Sequence, residues 1–439
     1  MGEESADRTV ITVWLNHWPL WPELLEPVRE RAAEFSRNHP RYRVEIHGIA
    51  YPTMPTAVAE AADRGEPPTI AAYQYTVTQE ARDAVAKDGT PLFASLEKAI
   101  GGRTEILGEP VVVDDIVANA RNYYTFGGEL VSMPRNTSTA LLYANRTLLD
   151  AAGVSELPRT WDEVDAACKA VRALPGGPAH AITWPNFGWF FQQSVGQQGG
   201  LLADSDNGRS GRSSKVDLAS PEMMAYVTWW QRLHENGHYL YTGKPLDWQG
   251  SAEAFATQQV AFVLSSSVEA GPTVQAGRDG GFRVEVGRLP YNSHAPHYGN
   301  QVAGESWWLA NGLDKATADG ALAFLQYLAS PRHATSVYDN HRTFIPVTEK
   351  SIALLDAEGW FEEHPHFRVA IDQLRATTDI PATRAAIFGN FLKIQMATTD
   401  AMHDVLAAGA DPVARFTAAT GEAQRLLDEY NEGVRTRKP

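Results

Sequence analysis

His234-Glu235-Asn236-Gly237-His238 has the H-E-x-x-H spacing with which a helix can present two imidazoles and a general base to zinc. That chemistry needs an unbroken helical turn, so that both rings share one face. Gly237 stands where the apolar-periodic run 221–236 should stop. A glycine there reads as a helix C-cap, and His234 in the last turn is favoured by the helix dipole. No third ligand is indicated, so zinc is not expected. Asp204-Ser205-Asp206-Asn207-Gly208 opens like a calcium loop but lacks the closing acid; residues 204–214 read as a surface loop. Arg278-Asp279-Gly280-Gly281 lacks phosphate-loop spacing and reads as a turn. The 53 carboxylates allow many acid–base pairs, yet no spacing singles one out, and no nucleophile elbow or Ser/His/Asp arrangement is present. Neither an enzyme nor a cofactor is expected.

The residues are better suited to holding a small polar molecule. The chain has 12 Trp, 15 Tyr and 16 Phe. A sugar's C–H face packs on an aromatic ring while its hydroxyls need polar partners at the rim. Asn16-His17-Trp18 follows one β-branched run, Tyr73-Gln74-Tyr75 ends another, and Gly304-Glu305-Ser306 leads into Trp307-Trp308. Residues 9–15, 42–49 and 67–75 read as strands. Helices are predicted from Pro22 to Phe35 and over 54–64, the second stopped by Gly65. The order β-α-β-α-β predicts a parallel, helix-covered sheet. Ligands sit beyond the carboxyl ends of such strands, which puts 16–18 and 73–75 at one mouth. Further on, 138–143, 260–264 and 282–289 read as strands, and 145–152, 187–195 and 221–236 as helices. Ala318, Ala321, Phe324, Leu325 and Leu328 have helical spacing. After Phe344 the chain reads as helical to 431, with a frayed polar tail over 434–439.

At 439 residues the chain should fold as two lobes. A net charge of −15 argues against nucleic acid or an anionic membrane surface as partner, though not against a small anion. No run of 18 apolar residues exists to cross a membrane. Cys168 is the single cysteine, so no intrachain disulfide can form; it reads as a buried helix thiol. Met1-Gly2-Glu3-Glu4-Ser5 is polar, shows no signal peptide and reads as the start of a mature chain.

Three stretches carry a resemblance. LLYANRTLLDAAGVSELPRTWDEV (141–164) fits the pattern "lyYN…L…aG…P.TWdE"; YYTFGGELVSMPRN (123–136) fits a hairpin followed by "hydrophobic-Pro-x-N". Residues 299–348 fit a strand, a helix and a "G-Y/F-x-P-x" turn, here Thr343-Phe344-Ile345-Pro346-Val347. Together they resemble the extracellular solute-binding proteins of bacterial ABC importers, in the group that carries sugars and glycerol phosphates. Glu253-Ala254-Phe255 resembles the family's "F..G..AM" element, with Gln258-Gln259 where a glycine is usual. The resemblance implies an α/β, two-lobed periplasmic-binding-protein-like fold of type II, with ligand in the interlobe cleft. It implies a first lobe of 1–122 plus 293–330 and a second of 123–292 plus 331–439. It also implies a monomer that is exported, attached at the cell surface and partnered by membrane permease subunits.

The ligand-binding residues that follow from it are Asn16, His17, Trp18, Tyr51, Gln74, Ser138, Trp189, Trp248, Gly304, Glu305, Trp307, Phe344 and Arg384. Trp18 has packing on Trp21 as its alternative role. Glu305 could accept from two vicinal hydroxyls or instead make an internal salt bridge. Relatives that bind phosphate carry a Tyr at Phe344 and an Arg at Ile387. Losing that Arg should cost a phosphate ligand on the order of 3 kcal/mol or more; Arg384, one turn earlier, is the possible substitute. The expected ligand is therefore a neutral carbohydrate, such as a galactose-type monosaccharide, with a glycerophosphodiester as the alternative.

Overall fold

The computed structural model describes residues 8–18, 24–335 and 344–437; Trp21, Pro22 and Thr343 lie outside them. Nine strands make two sheets. The first contains β1 (Thr9–His17), β2 (Tyr42–Ala50), β3 (Ile70–Gln74), β4 (Met133–Ser138) and β9 (Ala303–Leu309), in the order β2-β1-β3-β9-β4. The second contains β5 (Ala140–Asn145), β6 (Ile182–Thr183), β7 (Phe262–Ser266) and β8 (Val284–Arg288), in the order β6-β7-β5-β8. β1 runs parallel to β2 and β3, as the β-α-β-α-β pattern requires, while β9 is antiparallel to both its neighbours.

Burial explains the strand order. Ile11, Val13 and Leu15 of β1 are buried on one face. Every residue of β9 is buried, as suits an inner strand covered on both sides. Its two tryptophans serve different cores. Trp307 joins the main apolar core, whereas Trp308 packs edge-on against Tyr73, and tilted against Phe93, in a smaller one. Helix Lys315–Ala329 starts at Asp314, whose carboxylate accepts from Ala316 N and Thr317 N, and buries Phe324 against Phe35. The two sheets and their helices form the expected two α/β lobes.

The crossings between lobes differ from the expected boundaries. Residues 138–143 are not one strand. β4 ends at Ser138 in the first sheet, Thr139 makes the step, and β5 begins at Ala140 in the second. The first crossing is therefore at Thr139 and not at Asn122, because 133–138 pairs with β9. Thr139 N bonds to Ser267 Oγ at 3.2 Å and Thr139 Oγ1 donates to Gln301 O at 3.3 Å, which fixes the step. The return lies between β8 and β9, and so spans the expected Asn292. Past Ser330 the chain does not leave at once. Ile345 N still bonds to Thr137 O, and Val117 N to Val347 O, both at 2.9 Å. Helix Pro365–Arg375 is bonded to the second sheet, where Gln373 Nε2 donates to Ala140 O at 2.8 Å.

Two further expectations change. The polar stretch 204–214 is not all surface: Asn207 and Ser213 are buried, and Asn207 Oδ1 accepts from Leu202 N and Ala203 N. The tail is helical to Arg437. Helix Pro221–Glu235 does stop before Gly237, which has φ 71°, so His234 and His238 share no helical face. Among the described residues no group of three His, Cys, Asp or Glu could hold a metal ion.

Candidate functional site

The first lobe contributes a wall at the carboxyl ends of β1 and β3. Trp18 stacks on Tyr51, with centroids 3.9 Å apart and planes 21° apart. Burial, and secondarily the Glu305 charge, push the Tyr51 phenol above its ordinary value, partly opposed by a bond to Thr76. The amide oxygen of Gln74 accepts from Thr76 N at 2.8 Å and from Thr76 Oγ1, capping the turn Tyr75–Val77. Its carbonyl end thus serves the backbone. His17 is exposed beside this group.

Glu305 lies under the wall and is 2% exposed. Its Oε1 accepts from Asn16 Nδ2 at 2.6 Å, and its Oε2 is bound by Arg135 Nη1. Asn16 Nδ2 also reaches Ala72 O at 3.2 Å. Of the two roles open to Glu305, the structure contains the internal salt bridge. Arg135 occupies a β-bulge: Glu305 pairs with Asn136 but Ser306 with Pro134, so Arg135 is the extra residue. Its guanidinium lies over the Trp307 ring, 5.3 Å from the centroid. Gly304 makes the bulge possible. Its φ of 141° suits only glycine, and a Cβ there would collide with the Asn136 carbonyl. Sequence reasoning passed over Arg135, although it is the variable residue of the "Pro-x-N" motif.

The second lobe contributes an aromatic wall. Helix Gly188–Gln197 begins without a side-chain cap, and Gly188 allows the helix end to lie against Gln395 O. Trp189, in its first turn, is 4% exposed and sits 6.3 Å from Trp248, which also meets Phe187 and Phe190. Its indole Nε1 is buried with no partner among the described residues. Beside Trp248 opens a cavity of about 540 Å³ lined by Pro185, Ser251, Glu253, Ser265 and Glu269, among others. It lies at the carboxyl ends of β6 and β7. The strand-end rule that picked out Asn16 and Gln74 in the first lobe would have found Ser265 in the second.

Tyr75 joins the walls. Its hydroxyl donates to Gln192 Oε1 at 3.3 Å and accepts from Gln395 Nε2 at 3.1 Å. The remaining expected residues sit elsewhere. Ser138 is buried at the first crossing. Phe344 lines a small pocket with Ser267, Pro346, Phe361 and Ile371. Arg384 is bound through Nε and Nη2 to Asp379 at 2.5 and 2.6 Å, and 41% of its side chain is exposed. Ile387 is buried. A different cation lies near it. Arg209 bonds to Ala385 O at 3.0 Å and Tyr123 O at 2.7 Å, and also to Arg384 O, with its guanidinium 4.8 Å from the Tyr123 ring. Burial pulls its pKa down to about 10.

Comparison with known proteins gives one consistent frame. The family model described as bacterial extracellular solute-binding protein matches residues 30–369. The sn-glycerol-3-phosphate-binding periplasmic protein UgpB of Escherichia coli (strain K12) is 23% identical, with 99% of this chain and 96% of that protein covered. Among solved structures, the sugar-binding protein MalE from Xanthomonas citri has a TM-score of 0.76 at 17% identity, covering 96% of this chain and 98% of that one. UgpB from Mycobacterium tuberculosis in complex with glycerophosphocholine has a TM-score of 0.72 at 20% identity, covering 96% and 99%.

Proposed function

Because the chain belongs to the bacterial extracellular solute-binding protein family, we propose that it is the substrate-binding component of an ABC importer, and that its ligand is a neutral carbohydrate. One observation carries the ligand class: the charged side chains expected at the site are already matched. Glu305 is neutralised by Arg135, Arg384 is held by Asp379, and the position where phosphate-binding relatives carry an arginine is the buried Ile387. A buried phosphate needs an available cation, or it costs several kcal/mol; the nearby Arg209 already gives its donors to the carbonyls of Tyr123, Arg384 and Ala385. The aromatic pairs Trp18–Tyr51 and Trp189–Trp248 suit the C–H faces of a sugar ring. In this reading the protein works as an exported, surface-attached monomer that hands its sugar unchanged to membrane permease subunits.

A second reading, a glycerophosphodiester, is favoured by the two relatives named for glycerol 3-phosphate and glycerophosphocholine. A thermal-shift screen separates the two, using neutral sugars, galactose-type monosaccharides first, against glycerophosphocholine and sn-glycerol 3-phosphate. The expected result is a rise in Tm with a sugar, recovery of that sugar chemically intact, and no response to EDTA. A rise with a phosphodiester alone, abolished by Arg384→Ala, establishes the second reading instead.

A further inference from the structure

The short helix Thr78–Asp83 of the first lobe ends against the second. Glu80 Oε1 accepts from Asn390 N at 2.9 Å. Glu80 Oε2 is sealed from solvent with no hydrogen-bond partner among the described residues. The second lobe fixes the Asn390 donor. Asn390 has φ 55°, its Nδ2 donates to Leu426 O at 2.8 Å, and the neighbouring Gly389 lies so close to the Tyr430 ring that no Cβ would fit. Beside Glu80, Tyr430 OH donates to Asp83 Oδ2 at 2.9 Å and Arg212 pairs with Asp83 Oδ1. This is the junction at which first-lobe carboxyls meet second-lobe donors.

The groups facing Glu80 come from five elements. They are Asp83 on its own helix, Tyr73 on β3, Tyr123 on helix Ala118–Tyr123, Lys393 on helix Phe391–Ala408 and Tyr430 on helix Pro412–Arg437. Arg82, next but one along, turns away to lie over Phe126 at 3.9 Å. Its own N–H and Asn390 N, with the Lys393 charge, favour an ionised carboxylate here, but burial outweighs them, the Asp83 charge opposes it, and Oε2 is left without a donor. A protonated carboxyl is better suited.

We propose that this contact is a proton-linked latch between the lobes: closing the cleft seals Glu80 against Asn390 with uptake of one proton, and opening it hydrates the carboxylate and releases that proton. The latch rests on the solute-binding role proposed above, taken to work by two lobes that open and close around a ligand. Burial raises the closed-state pKa from 4.5 to about 7. Below about pH 4.5 both states hold the proton and pH has no effect. Between there and about pH 7 each rising unit favours the open state by up to about tenfold, and above 7 the effect levels off.

The test uses the ligand-free chain with dyes on Asp63→Cys and Glu235→Cys, both exposed and one in each lobe; the native Cys168 is buried and does not compete. Energy transfer between the dyes is followed from about pH 5 to about pH 8. The closed-to-open ratio should fall at least about tenfold in the wild type, and by less than about twofold in Glu80→Gln. A wild type that does not respond, or a Glu80→Gln that responds equally, overturns the latch. Should Glu80→Gln fail to fold, Glu80→Asp, which withdraws the carboxylate from Asn390 N, should flatten the response; a response as steep as the wild type's overturns the proposal. Since no ligand is present, that failure leaves the sugar reading standing. Lobes that stay still when sugar is added would count against the sugar reading instead.

Discussion

The two walls of the cleft are built on opposite principles. At the first-lobe wall the groups that stand out are already matched: Glu305 by Asn16 and Arg135, the Gln74 oxygen by Thr76, and the Trp18 ring by stacking on Tyr51. In the second lobe, Trp189 Nε1 and Ser251 Oγ are buried without partners among the described residues, and Ser251 lines an open cavity. Matched buried networks rigidify what they hold, whereas unmatched polar groups await a partner. The first wall therefore acts as a fixed platform. On the proposed sugar reading, the second is where the ligand's hydroxyls would gain most.

The strongest way to break this comparison is to disturb the platform. Arg135→Ala strands a buried carboxylate, and should cost about 3–5 kcal/mol in denaturant unfolding. Glu305→Gln keeps the Asn16 contact and should cost clearly less. A loss below about 1 kcal/mol for Arg135→Ala would mean that the ion pair does not hold the wall. Gly304→Ala should lose about 2 kcal/mol or more, because it combines a φ of 141° with a clash on the Asn136 carbonyl. A Tm unchanged from the wild type would show that the bulge relaxes freely.

On the second wall the effect should appear in binding. Trp189→Ala is expected to weaken calorimetric sugar affinity at least about tenfold, or 1.4 kcal/mol. Normal binding there would remove the contrast between the walls. At the small end, Arg384→Ala should leave sugar affinity unchanged and shift stability by less than about 1 kcal/mol, since its pair with Asp379 is exposed. A large loss of binding would bring Arg384 into the site and revive the phosphodiester reading.

Much of the architecture is legible in the chain itself. Period-2 and period-3.6 patterns mark β1–β3 and their helices. Asp314 and Gly65 mark helix ends as cap and stop, and Gly237 alone removes the zinc geometry from His234 and His238. These features were readable because each is set by a residue's immediate neighbours. The capping role of Gln74 was equally local, two residues from Thr76, and could have been read in the same way.

What only the tertiary structure decided depends on residues far apart in sequence. Glu305 meets Arg135 across 170 positions and Asn16 across 289. A carboxylate with small neighbours looks the same in sequence whether it faces a ligand or an arginine. The crossing at Thr139 was hidden for a related reason. Residues 138–143 carry one continuous strand-like pattern, and only pairing with β9 on one side and β7 on the other divides it between two sheets. The polar run 204–214 looked solvated because composition reports average polarity. Buried Asn207 and half-buried Arg209 are satisfied one bond at a time, by backbone groups that fold against them. Local pattern fixes which elements form, but the pairing of buried charge is a property of the assembled lobes.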